Sequence, residues 1–159
     1  MDAGPDGTLR LDALQRDVLL AQIQAFIDAA PESEARSSYL ALKTAVESME
    51  VAPEHQGRLG AILEIALQSG RIRRLFGPGA EVSLNSLFKS TPRGRELAGS
   101  LADVNRALAA LKDDAIEEIS ASLPAPGAWS LTIRTARCQI VLRFERDGVR
   151  VDSLEVAVS

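Results

Sequence analysis

Apolar residues recur along this chain with two different periods, and the change of period divides it. Up to about residue 123 the spacing is that of helices; beyond residue 128 apolar and polar positions alternate. The longest helical stretch is Pro92–Leu123. There Leu97, Leu101, Val104, Leu108, Leu111 and Ala115 recur at steps of four and three, which places them on one side of a helix. Thr91 offers a capping hydroxyl, Pro92 suits the first helical position, and Pro124 and Pro126 close the stretch. The pattern predicts one helix about 48 Å long at 1.5 Å per residue. Past Ala115 the apolar positions become Ile116, Ile119 and Leu123, a drift expected of a straight helix carrying a near-3.5 repeat.

Four further helices are predicted before it. The first runs from about Asp12 to Ala30, with Asp12 and Gln15 as a reciprocal capping box. Its stripe of Leu14, Val18, Ala21 and Ala25 is widened by Leu19, Leu20, Ile23, Phe26 and Ile27, which implies burial against more than one neighbour. The second runs from about Glu32 to Glu50 on Ala35, Tyr39, Leu42, Val46 and Met49. Pro53 opens the third, with Leu59, Ile62, Leu63, Ala66 and Leu67 apolar. Gly57 and Gly60 inside it are expected where another backbone approaches closely, since each costs about 1 kcal/mol of helix propensity. The pattern resumes at Ile72, Leu75 and Phe76. Gly77-Pro78-Gly79 then breaks the chain, and a short helix follows over Glu81–Ser90.

The alternating segment predicts a three-stranded antiparallel meander over 128–158. A turn at Ala136-Arg137 pairs Ile133 with Ile140, Leu131 with Leu142 and Trp129 with Phe144, all apolar on one face. Asp147-Gly148 is a strong turn signal and pairs Phe144 with Val151. The alternation then survives only with a bulge near Asp152-Ser153, which would set Leu142 against Leu154, Ile140 against Val156 and Cys138 against Val158. Glu145–Arg150 and Arg143–Asp152 would be ion pairs on the wet face. A three-stranded sheet needs cover, and the long helix is the expected partner. The fold class is therefore α+β: about five helices, then a meander packed on the helix 92–123. Residues 1–10 read as a flexible tail and 11–159 as a single domain, with its helical part at 11–123.

Composition changes this picture little. Apolar residues are 46% and charged residues 25%, which is ordinary globular usage and excludes a disordered chain. Arginine outnumbers lysine 15 to 3, which points to a GC-rich bacterial source. The start has no basic and apolar leader, and no apolar run approaches the roughly 18 residues of a span. A cytoplasmic protein without membrane association is expected. Charge does alter the reading. The net −4 argues against nucleic acid, but residues 71–106 hold 7 basic and 3 acidic side chains, against 5 and 11 in residues 1–70.

Candidate chemistry is sparse. His55, the only histidine, sits beside Glu54, but no second histidine or nearby nucleophile joins it, and a surface histidine is expected. Cys138 begins a strand with its side chain toward the core, and it is the only cysteine, so no intrachain disulfide or Cys metal cluster forms. Asp113, Asp114, Glu117 and Glu118 share the face of a helix, where solvation is the simpler reading than a cation. No nucleotide-binding, zinc-protease or serine-elbow motif is present. No cofactor, metal or catalytic residue is assigned. One constellation stands out: Arg71, Arg73 and Arg74 precede the Gly-Pro-Gly break, and Lys89, Arg93 and Arg95 surround the next helix start, where free N–H groups attract anions. The first expectation is a non-enzymatic protein-interaction or self-association module. The alternative is a binder of a small anionic ligand or acidic partner through Arg71–Arg95, and an enzyme using acidic residues ranks last.

Overall fold

The computed structural model describes residues 7–32 and 34–156. It divides into two compact units, residues 1–95 and 96–159. The class is α+β, with five helices, a two-stranded pair and a four-stranded antiparallel sheet among the described residues. Residues 1–6 of the expected tail, Ser33 near the start of the second helix and residues 157–159 lie outside the described residues.

In the first unit the chain enters as β1 (Leu9–Arg10), which pairs antiparallel with β2 (Glu50–Val51). Leu9 and Val51 are fully buried, so Leu9 belongs to the core, while Arg10 is exposed. The first helix, α1 (Ala13–Ala29), starts at the expected capping box: Gln15 N–H donates to Asp12 Oδ1 at 2.8 Å, and Asp12 N–H donates to Gln15 Oε1 at 3.1 Å. Its wide apolar face meets three helices: α2 (Glu34–Glu47), α3 (Pro53–Gln68) and α4 (Arg71–Ser90). The helix α2 stops at Glu47, before the expected Glu50, because Met49 turns left-handed (φ 61°) to deliver Glu50 and Val51 to β1. The expected break is where α4 kinks. Gly77 leaves helical geometry (φ 86°, ψ 172°) and Pro78 starts the second segment, three residues earlier than the short helix drawn from Glu81. Leu19, Ile23, Leu42, Leu59, Leu63 and Leu84 centre the core of this unit.

The last helix, α5 (Pro92–Ala109), corrects the longest expectation: there is no helix to Leu123. After Ala109 the chain passes through successive tight i to i+3 bonds, Asp113 turns left-handed (φ 67°), and β3 (Ile116–Ala125) follows as a strand. The meander therefore has four strands, in the order β3, β4 (Ala128–Thr135), β5 (Cys138–Glu145), β6 (Gly148–Val156). The helical spacing of Ile116 and Ile119 is made by a bulge. Ile116 lies opposite Thr135 and Glu118 opposite Arg134, so Glu117 is an extra residue and the two isoleucines share a face three positions apart. β-Branched residues beside the open edge of β4 gain more from pairing than from helix.

The first hairpin has the expected register, Ile133 with Ile140, Leu131 with Leu142 and Trp129 with Phe144. The second is offset by two for three pairs, Phe144 with Val149, Ile140 with Leu154 and Cys138 with Val156, while Leu142 pairs with Val151, three residues before the expected Leu154 because the bulge falls between them. The turn lies at Arg146-Asp147, and the expected bulge is present at Asp152. An offset of two leaves every side chain on its expected face, but it redirects the ion pairs. Glu145 still meets Arg150 (3.3 Å), whereas Arg143 meets Glu145 (2.7 Å) and not Asp152. The buried Arg143 Nε makes no hydrogen bond, so that contact is electrostatic. The sheet packs on the C-terminal half of α5 and the turn after it: Val104, Ala107, Leu108 and Leu111 cover Cys138, Ile140 and Leu142.

Candidate functional site

Alternation along the strands puts Ile119, Ile133, Ile140 and Leu154 in one row, and Ala121, Leu131, Leu142 and Val151 in the next, on the same face of the sheet. The apolar residues that follow α5 in sequence are too few to cover four strands. Cover is complete over the middle: Ile140 and Leu142 are buried. It fails toward β3, where Ile116, Ile119, Leu123 and the neighbouring Trp129 are 54–60% exposed. Together they present on the order of 400 Å² of apolar surface, the scale at which a patch on a protein serves an interaction.

β3 is also an edge. All ten of its residues are exposed, and among the described residues no strand lies beside its outer N–H and C=O groups. Edges are commonly blunted by charge, proline or a bulge. The other edge, β6, carries Arg150, Asp152 and Glu155 together with its bulge. On β3, Glu117 and Glu118 are drawn to Arg134 (3.9 and 2.8 Å) and Pro124 lies near the far end. Between them Ile119-Ser120-Ala121-Ser122-Leu123 is uncharged. Asp113 and the other three acidic residues no longer form a helix face. Asp114 accepts from Arg137 Nε at 2.8 Å and from Arg137 Nη2, and it lies 3.2 Å from the Thr135 hydroxyl. That arginine holds the Asp114 carboxyl below the usual carboxylate range, against a smaller opposing effect of burial.

Three of the six basic residues are engaged in separate local contacts. Arg73 Nε lies 3.6 Å from Glu81, and Arg93 Nε lies 3.5 Å from Glu64 at the start of α5. Arg95 Nη1 donates to the Ser90 carbonyl at 2.6 Å. Arg71, Arg74 and Lys89 are exposed and have no ion pair among the described residues. The start of α5 is already capped, because Gly94 N–H donates to Thr91 Oγ1 at 3.2 Å. Cys138 is buried in the second core, and among the described residues no three His, Cys, Asp or Glu side chains come together as a metal site. Among the same residues no helix is long and apolar enough to cross a membrane. No family model, no curated protein and no solved structure matches this chain.

Sequence reasoning missed the β3 edge because Ile116 and Ile119 fell on helical spacing. The signal that could have found it is Ile119-Ser120-Ala121-Ser122-Leu123, a short run of strict alternation.

Proposed function

We propose that this protein is an interaction module that self-associates, two copies pairing through antiparallel β3 edges. The observation that carries the reading is the open β3 edge, uncharged over Ile119–Leu123, beside an uncovered apolar margin. A second copy suits it because the strand is self-complementary. A two-fold axis through Ala121 sets Ala121 against its own copy, Ser120 against Ser122 on one face, and Ile119 against Leu123 on the other. Glu117 and Glu118 then oppose Ala125 and Pro124, so no like charges meet. Two apolar margins contribute about 800 Å², and strand backbone brings the total toward the roughly 1,200 Å² lower bound of stable interfaces. The anionic-ligand reading is supported less well, since Arg73, Arg93 and Arg95 already have partners within the chain.

The test is sedimentation of the full chain from about 1 to 200 μM, an affinity range suited to an interface of this size. Wild type is expected to pass from monomer to dimer, and Ile119→Lys is expected to remain monomeric with an unchanged circular dichroism spectrum. A wild-type monomer at the highest concentration, or an Ile119→Lys dimer of equal strength, overturns the proposal.

A further inference from the structure

The helices α1, α2 and α3 border an open surface cavity of about 410 Å³ lined by Phe26, Tyr39, Gly57, Arg58, Ile62 and Ile65. Its size is that of a small-molecule site, and three features say what it would hold. The first is an apolar and aromatic wall. Phe26 and Tyr39 are tilted against one another with ring centroids 5.6 Å apart, and the buried Ile62 lies beside them.

The second feature is a cation whose donors are unused. The Arg58 guanidinium lies 4.9 Å from the centre of the Tyr39 ring. Glu54, one turn earlier on α3, is the ordinary partner for an arginine at this spacing. Among the described residues, however, the Arg58 side chain makes no ion pair and no hydrogen bond. A guanidinium held over a ring still presents its N–H edge, a fork that matches a carboxylate.

The third feature is Gly57. Glycine is a poor residue for a helix interior, and here no neighbour demands it: a Cβ at this position would meet nothing within 4 Å. Its effect is to leave the cavity open. Gly60, three residues on, differs, because a Cβ there would come within 3.1 Å of Thr91 Oγ1.

We infer that this cavity binds a small monocarboxylate with an apolar or aromatic tail, its head on the Arg58 fork and its tail against Phe26, Tyr39 and Ile62. Glu54 on the wall adds a negative charge that disfavours phosphate and other polyanions, which selects the single carboxylate. The site is separate from the β3 edge and does not depend on self-association.

Tyr39 is the only tyrosine, so its ring signals in NMR spectra of the full chain report on the cavity alone. The probes are naphthalene-2-acetate and decanoate, with 2-(2-naphthyl)ethanol and inorganic phosphate as comparisons. At least one carboxylate is expected to shift the Tyr39 ring and α3 amides saturably. Naphthylethanol binding to wild type and carboxylate binding to Arg58→Gln are each expected to weaken about tenfold or more, the scale of a lost charged hydrogen bond. Gly57→Leu is expected to fold as wild type does, by circular dichroism, and to lose binding. No saturable shift with either carboxylate, equal binding by Arg58→Gln, undiminished binding by Gly57→Leu, or displacement by phosphate each overturns the inference.

Discussion

Gly94→Ala is the most exposed test of the packing in the first unit. Gly94 is the third residue of α5, downstream of the Thr91 cap, and its backbone suits alanine. On helix propensity alone the substitution should stabilise by about 1 kcal/mol. The tertiary structure reverses the sign. A Cβ at Gly94 would lie 2.7 Å from Phe88 C and Lys89 Cα and closer still to the Phe88 carbonyl oxygen, all backbone atoms that cannot rotate away. Packed carbon atoms sit about 3.5–4.0 Å apart, so the start of α5 must move by roughly 1 Å or more. Overpacking of this kind costs about 1–3 kcal/mol. The shift also strains the Thr91 cap, whose hydroxyl donates to Phe88 O at 2.7 Å and accepts from Gly94 N–H; a lost cap costs about 1 kcal/mol. After the propensity gain, a net loss of about 1–3 kcal/mol is expected. That is a drop of about 4–24 °C for a cooperative unit of this size. Urea unfolding followed by far-UV circular dichroism measures it. Gly57→Ala is the control, with open space at its Cβ and an expected gain of about 0.4–1 kcal/mol. A Gly94→Ala protein within 0.5 kcal/mol of wild type would refute the packing argument.

Two further outcomes follow from the turn between β4 and β5. The buried Thr135 hydroxyl accepts from Cys138 N–H at 3.0 Å and Arg137 N–H at 3.3 Å; Thr135→Val leaves both without that acceptor and should cost about 1–3 kcal/mol in urea unfolding, and an effect below 0.5 kcal/mol counts against this role. Because Arg137 lowers the folded-state pKa of Asp114 below the ordinary 3.8, the stabilisation is fully present above that ordinary value and is lost as pH falls through the lower folded one. Melting temperatures taken from about pH 5 to 2 should therefore fall more steeply for wild type than for Asp114→Asn, and parallel curves contradict the assignment.

The same turn shows how residues distant in sequence decide a local structure. Ala136-Arg137 is a poor pair for a two-residue hairpin turn, yet the register of β4 on β5 is the one expected from alternation. The turn is held by the Thr135 hydroxyl and by the Asp114–Arg137 pair, groups that turn propensity does not weigh. The second turn shows the converse. Asp147-Gly148 is a strong local signal, but the turn lies one residue earlier and the register moves by two. Period-two alternation distinguishes the two faces of a strand and is blind to an offset of two.

Local sequence by itself determined what depends on neighbouring residues. It determined the Asp12–Gln15 capping box, the break at Gly77-Pro78, the Thr91 cap with Pro92 at the first position of α5, and the face on which each residue of β4, β5 and β6 lies. Hydrogen bonds within a few residues and the periods of helix and strand suffice for these. Only the tertiary structure decided where α5 ends, because the choice between a continued helix and a fourth strand rests on the open edge of β4 and on a bulge that hides alternation behind a spacing of three. Only it separated the two glycines of α3, one packed against Thr91 and the other beside an open cavity. It alone set the uncharged stretch Ile119–Leu123 of the β3 edge beside an apolar margin that α5 does not reach.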